Sequence, residues 1–203
     1  MRIGVVTPAR LARRGAYHVG NVRTQLLAAA RDILAESGRG ALSLRAIAER
    51  AGVAPGTVYY HYVDKAALLA GLAVDGFRQL AEAMREAYAA DSGGGLRSTG
   101  AAYLNFLRDK RELYELMYEA RDTGREDVAA AEGEAIAVSR GAIMADFKGL
   151  YPEDMAQDMA EAIWAWGRGI AAVGLARGAD GADRGDEAVQ AAVRGLTALI
   201  ARA

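Results

Sequence analysis

With 203 residues, 52% of them hydrophobic and 25% charged, the chain has the composition of an ordinary globular protein, long enough to bury a sizeable core. The absence of cysteine excludes disulfides and thiolate chemistry, and with only His18 and His61 as imidazoles neither a structural zinc site nor any other metal site is expected. The net charge of −1 conceals an asymmetry: Met1 to Val63 carry nine arginines against Asp32, Glu36 and Glu49, whereas Asp64 to Ala203 are net acidic, so a basic head, the footprint of a nucleic-acid-binding module, precedes an acidic body.

The first 20 residues read as a basic tail. MRIGVVTPARLARRG has no apolar core of the length a secretory signal needs. Two readings of Arg10, Arg13 and Arg14 stay open, an arm reaching a minor groove or a disordered tail.

From Val22 to about Glu36, Val22, Leu26, Ala30, Ile33 and Leu34 share one face of a first helix, which SGRG ends. Ser43 is a natural N-cap for a second, in which Leu44, Ile47, Ala48 and Ala51 recur at i, i+3, i+4 and i+7 and leave Arg45, Glu49 and Arg50 outside the stripe. Gly52 supplies the positive φ that ends it, and Pro55 suits the first position of a third helix carrying Thr57, Tyr59, Tyr60 and His61. Two short helices joined by a glycine turn form a helix-turn-helix, with the later one in the recognition position.

Asp64 caps a long helix in which Leu69, Leu72, Ala73, Gly76, Leu80, Ala83, Met84 and Ala87 keep helical spacing as far as Asp91-Ser92-Gly93-Gly94-Gly95. Beyond that loop follow Leu96 to Leu107, Glu112 to Ala120, Val128 to Leu150, Glu153 to about Arg177, a GADGADRGD linker and Glu187 to Ala203. No alternation persists long enough to argue for a strand. The expected fold is all-α: an N-terminal three-helix helix-turn-helix domain over residues 21–66 and a C-terminal helical ligand-binding and dimerisation domain over residues 67–203. No apolar run reaches the length of a membrane span, so no membrane partner is expected and the chain fits the cytoplasm.

Residue chemistry sorts the candidate DNA contacts. Arg45, on the outer face of the second helix, suits a bidentate contact to guanine O6 and N7. Ser43, Thr57, Tyr60, His61 and Lys65 offer hydroxyl, imidazole and ammonium donors for phosphates. Gly56 permits close approach to base edges, and Tyr59 can lie against a sugar or a thymine methyl. The alternative for Tyr59 and Tyr62 is that their rings pack on the first helix, the stronger reading for Tyr62.

In the body, Tyr103, Phe106, Leu107, Tyr114, Met117, Tyr118, Met144, Phe147 and Trp164 supply the aromatic and thioether side chains that line pockets for apolar or planar ligands. The competing reading assigns part of that set to the core. Val189, Ala192, Val193, Leu196, Leu199 and Ile200 form an apolar stripe on the last helix, and Ala160, Gly167, Ala171 and Gly174 a small-residue stripe on the one before it. Such stripes suit either a core helix or a four-helix interface with a second copy.

The run from Tyr17 to Phe77, with YHVGNVR, ESGRGALSLRAIAERAGV, GTVYYHY and DKAALL in order, resembles the DNA-binding domain of TetR-type transcriptional regulators. AYLNFLRDKRELYELMY and AIWAWGRGIAAVGLA resemble the C-terminal domain of a subgroup named for a Trp-His-Gly signature, from which Trp166-Gly167-Arg168-Gly169 departs by lacking the His. The resemblance implies base reading at the position of Arg45 in some members and a homodimer through the last two helices. It also implies a palindromic double-stranded DNA operator and a repressor released by a small apolar or aromatic effector.

A helical protein-interaction module without specific DNA binding is the alternative. No nucleophile motif, phosphate loop or metal-ligand spacing argues for an enzyme, and no cofactor is expected.

Overall fold

A computed structural model describes residues 19–91 and 95–175, together with residues 187, 190, 191, 194 and 195, which are helical. Eight α-helices occupy the continuous part: α1 (Val19–Ser37), α2 (Leu44–Arg50), α3 (Pro55–His61), α4 (Lys65–Ala90), α5 (Gly95–Asp109), α6 (Arg111–Asp122), α7 (Glu126–Phe147) and α8 (Glu153–Leu175), with a 3-10 turn at Arg39–Ala41. Among the described residues there is no strand, and no helix is long and apolar enough to cross a membrane. The all-α class expected from the sequence is the class observed. The basic tail with Arg10, Arg13 and Arg14 and most of the terminal helix lie outside the described residues.

Local chemistry sets the short helices. Ser43 Oγ accepts a hydrogen bond from the Ala46 amide at 3.1 Å, closing the first turn of α2, and Asp64 Oδ1 does the same for α4 through the Ala67 amide at 2.7 Å. Gly52 turns the chain out of α2 with φ +67°, a value that side-chain-bearing residues rarely adopt. Pro55 then opens α3. The buried Val58 anchors α3, and burying such a side chain contributes about 1.5–3 kcal/mol.

Tyr62, which ends α3, is buried. Its hydroxyl accepts from Arg23 Nε of α1 at 3.3 Å, and the Arg23 guanidinium lies 5.4 Å from the ring centroid. That is the packing expected of Tyr62. Its other side faces Gly71 of α4, where a Cβ would stand 2.8 Å from the ring, so only glycine lets α4 pass this close.

The central element is α4, 26 residues and about 39 Å long. It packs against α7, α5 and α6 and, near its start, against α1. One continuous apolar cluster runs from Leu26, Ile33 and Leu34 of α1 through Ile47, Val58 and Leu68 to Phe77, Leu80, Leu116 and Met117. The charged turn expected between α5 and α6 contracts to the single residue Lys110, and α7 stops at Phe147 instead of Leu150.

Polar contacts join the amino-terminal helices to the rest. Arg31 of α1 pairs with Asp75 of α4, whose Oδ2 also accepts from Gln79 Nε2 at 2.7 Å. Gln79 Oε1 in turn accepts from Lys110 Nζ at the α5–α6 corner, also at 2.7 Å. A second tie runs from Arg39 to Glu119 of α6.

Candidate functional site

The surface built by α2 and α3 presents most of the candidate DNA contacts on its outside. Ser43, Arg45, Gly56, Tyr59, Tyr60 and Lys65 are exposed, while Thr57 and His61 are half-buried. Tyr60 is 81% and Tyr59 59% exposed, values far above those of a ring packed into a monomer core. The Tyr60 and His61 rings meet edge to face at 5.2 Å, so one holds the other. A Cβ at Gly56 would meet nothing within 4 Å; the missing side chain leaves room outside the protein, where a base edge could approach.

Neighbouring cations are already engaged. Arg50 makes two hydrogen bonds to Glu36, at 3.0 and 2.6 Å, which hold the Glu36 carboxyl below its usual range and the Arg50 guanidinium above its own. This pair ties the end of α2 to α1 and leaves Arg45 as the outward arginine of α2.

Further along, α4, α5, α7 and α8 line a partly open cavity of about 80 Å³. Its walls are Met84, Leu96, Thr99, Gly100, Tyr103, Leu104, Ser139, Ile163, Trp164, Trp166, Gly167 and Ile170. Of the candidate ligand residues, Tyr103 and Trp164 line it, with their rings 5.8 Å apart. Tyr114 and Tyr118 stand behind Tyr103: the Tyr103 and Tyr114 hydroxyls are hydrogen-bonded, and the Tyr114 and Tyr118 rings lie 4.7 Å apart.

The structure does not gather the remaining candidates there. Phe106 and Leu107 are buried in the apolar cluster, and Met117 lies over Gly76 of α4. Met144 and Phe147 are half-buried late in α7, with the Phe147 ring edge-on to Tyr151 at 5.5 Å.

Wall residues that aromatic content did not single out carry a periodic signal instead. Leu96, Thr99 and Gly100 share one face of α5 with Tyr103, and Ile163, Trp166, Gly167 and Ile170 one face of α8.

A buried polar cluster adjoins the Tyr103 side of the cavity. Glu132 of α7 is 5% exposed; its Oε2 accepts from Arg121 Nε at 2.6 Å, and its Oε1 lies 3.8 Å from Arg168 Nη1. The Arg168 guanidinium sits 4.2 Å from the Tyr118 ring centroid. Burial pushes the Tyr103, Tyr114 and Tyr118 phenols upward, so all three are protonated at neutral pH.

Residues 26–72 match the family described as bacterial regulatory proteins, tetR family, and residues 96–196 match the tetracyclin repressor-like C-terminal domain. Over 47 residues, 23% of this chain, the sequence is 43% identical to the HTH-type transcriptional regulator UidR of Escherichia coli strain K12. That match spans about a quarter (24%) of the length of UidR. A protein of unknown function from Rhodococcus sp. RHA1 superposes with a TM-score of 0.68 at 30% identity, covering 89% of this chain and 95% of that one. The multidrug binding protein EbrR in complex with ethidium has the same fold, with a TM-score of 0.56 at 21% identity over 85% of this chain and 97% of its own.

Proposed function

Because the chain belongs to the TetR family and is a transcriptional regulator with a DNA-binding helix-turn-helix, not an enzyme, we propose that it acts as a repressor that leaves a palindromic operator when a small apolar or aromatic effector binds among α5 to α8. Residues 21–66 are the reading unit in this proposal, and residues 67–203 the effector and dimerisation unit. The observation that carries it is the outward array of Arg45, Tyr59 and Tyr60 on α2 and α3, within a segment where arginines outnumber acids three to one.

One recognition helix touches few base pairs, so useful discrimination needs a second copy and a two-fold operator. The last two helices supply the dimer contact. In support, Met155 and Val173 of α8 leave about half their surfaces open. The protein works in the cytoplasm, where its DNA is.

The size of the cavity supports the release mechanism. A volume of 80 Å³ is well below the roughly 300–1,000 Å³ of sites for drug-sized ligands. A molecule the size of ethidium, which EbrR holds, therefore fits only if the lining helices move apart. Because α5 adjoins α6, and α6 is tied to the reading unit through Arg39–Glu119, that separation biases the spacing of the two recognition helices. An electrophoretic shift assay with DNA from beside the chain's own gene, repeated with Arg45→Ala, tests the reading. A retarded complex that Arg45→Ala weakens is expected; no complex at low salt would overturn it.

A further inference from the structure

The hydroxyl of Tyr118, a residue only 9% exposed, is buried close to the Tyr103 and Tyr114 hydroxyls and forms no well-aligned hydrogen bond. A buried polar atom without a well-formed hydrogen bond destabilises the fold, so its retention needs a reason. Its surroundings supply one. The Tyr118 ring lies 4.7 Å from Tyr114 and 4.2 Å from the Arg168 guanidinium. Arg168 in turn stands 3.8 Å from Glu132, close enough for an ion pair and too far for a hydrogen bond. Glu132 is already taken by Arg121 at 2.6 Å. One carboxylate thus faces two guanidiniums, and the cluster holds one uncompensated positive charge.

The hydrogen-bonding inventory has the same sign. Tyr103 and Tyr114 share one hydrogen bond between their two hydroxyls, which leaves the second proton of that pair, the Tyr118 O–H and the Arg168 N–H groups that Glu132 does not engage as donors. Protonated phenols add no negative charge. Tyr103 separates this cluster from the cavity, with its ring against Trp164 on one side and its hydroxyl on Tyr114 on the other. No side chain at Gly167 blocks a turn of that ring. Arg168 is half exposed, which gives an entering head group a path from solvent.

We infer that Tyr118 and Arg168 form the polar end of the effector site and select an aromatic or apolar molecule bearing an anionic head, a carboxylate in the simplest case. The planar guanidinium suits a carboxylate in bidentate fashion, the Tyr118 hydroxyl donates to it, and the cavity behind Tyr103 takes the apolar part. This rests on the effector reading above and names the class of its ligand.

The test is calorimetric titration of the full chain with three probes that share one ring system: 2-naphthoate, 2-naphthalenemethanol and 2-naphthylmethylammonium. Naphthoate is expected to bind at least tenfold more tightly than either other probe. Arg168→Gln should erase that preference and Arg168→Lys keep part of it. Tyr118→Phe should weaken naphthoate about threefold or more without lowering the unfolding midpoint, because the hydroxyl it removes makes no well-aligned hydrogen bond in the free protein.

Tighter binding of the ammonium probe would make the cluster a cation site and overturn the inference. So would naphthoate binding that Arg168→Gln leaves unchanged, or no binding by any probe. Operator affinity is measured in parallel. Arg168-dependent naphthoate binding that leaves operator affinity unchanged supports the site and counts against the effector reading.

Discussion

Arg39, in the 3-10 turn after α1, and Glu119, on α6, form an ion pair across 80 residues of sequence. It fastens the helix-turn-helix segment to a helix beside the cavity. The Glu119 partnership is also the main reason that the Arg39 guanidinium holds its proton more tightly than usual.

Both members are partly exposed, so their coupling is modest. A double-mutant cycle with Arg39→Ala and Glu119→Ala, followed by urea unfolding, should give about 0.2–1 kcal/mol. The coupling should shrink at 1 M salt, where the screening length falls to about 3 Å. Strictly additive single mutants at low salt would remove this tie from the account.

Arg45→Ala should cost about 1–3 kcal/mol of operator affinity and relax preference at one base pair. Lys65→Ala, at the start of α4, should weaken all sequences alike and lower the salt slope by about one. Binding-site selection with each variant separates the two roles. An unchanged sequence preference for Arg45→Ala would show that this residue reads no base.

Gly71→Ala should destabilise the chain by about 1–3 kcal/mol, because the new Cβ would stand 2.8 Å from the Tyr62 ring. With the ring removed by Tyr62→Ala, the same change should be neutral or stabilising by up to about 1 kcal/mol, the helix-propensity gain of alanine over glycine. Urea denaturation of the four proteins checks this, and an equal effect in both backgrounds would show that the ring is not the obstacle.

Burial raises the folded-state pKa of Tyr103, Tyr114 and Tyr118 above the unfolded value near 10. The folded state therefore keeps protons that the unfolded state loses at alkaline pH. Their contribution is fully present below about pH 10 and falls above it by about 1.4 kcal/mol per pH unit for each phenol. Unfolding free energies measured from pH 8 to pH 11 should fall less steeply for Tyr114→Phe than for the parent chain. Identical slopes would mean that Tyr114 ionises as readily folded as unfolded.

Much of the fold was legible because its determinants are local. The Ser43 and Asp64 caps, the Gly52 turn and the Pro55 start act over a few residues, and sequence spacing reports them directly. The outward face of α2 and α3 followed from the same periodicity, since whatever lies off the apolar stripe of a surface helix faces outward.

The cavity was less legible. Tyr103 and Phe106 sit three residues apart on α5, and both are aromatic and buried, yet Tyr103 lines the cavity and Phe106 fills the core. Residue type cannot separate them, because the difference is which helix crosses in front of each ring. Ile163, Trp166 and Gly167 carried a stripe that suited a core or a second copy, and the packing of α8 beside α5 and α7 turned it toward the cavity.

By itself the sequence determined the helices, their caps, the helix-turn-helix and the basic face it presents, all set by contacts within two turns of the chain. Only the tertiary structure decided that Glu132 meets Arg121 and Arg168 beside the buried Tyr118 hydroxyl. These residues come from three helices. Their pairing depends on how α6, α7 and α8 cross, which no local pattern encodes.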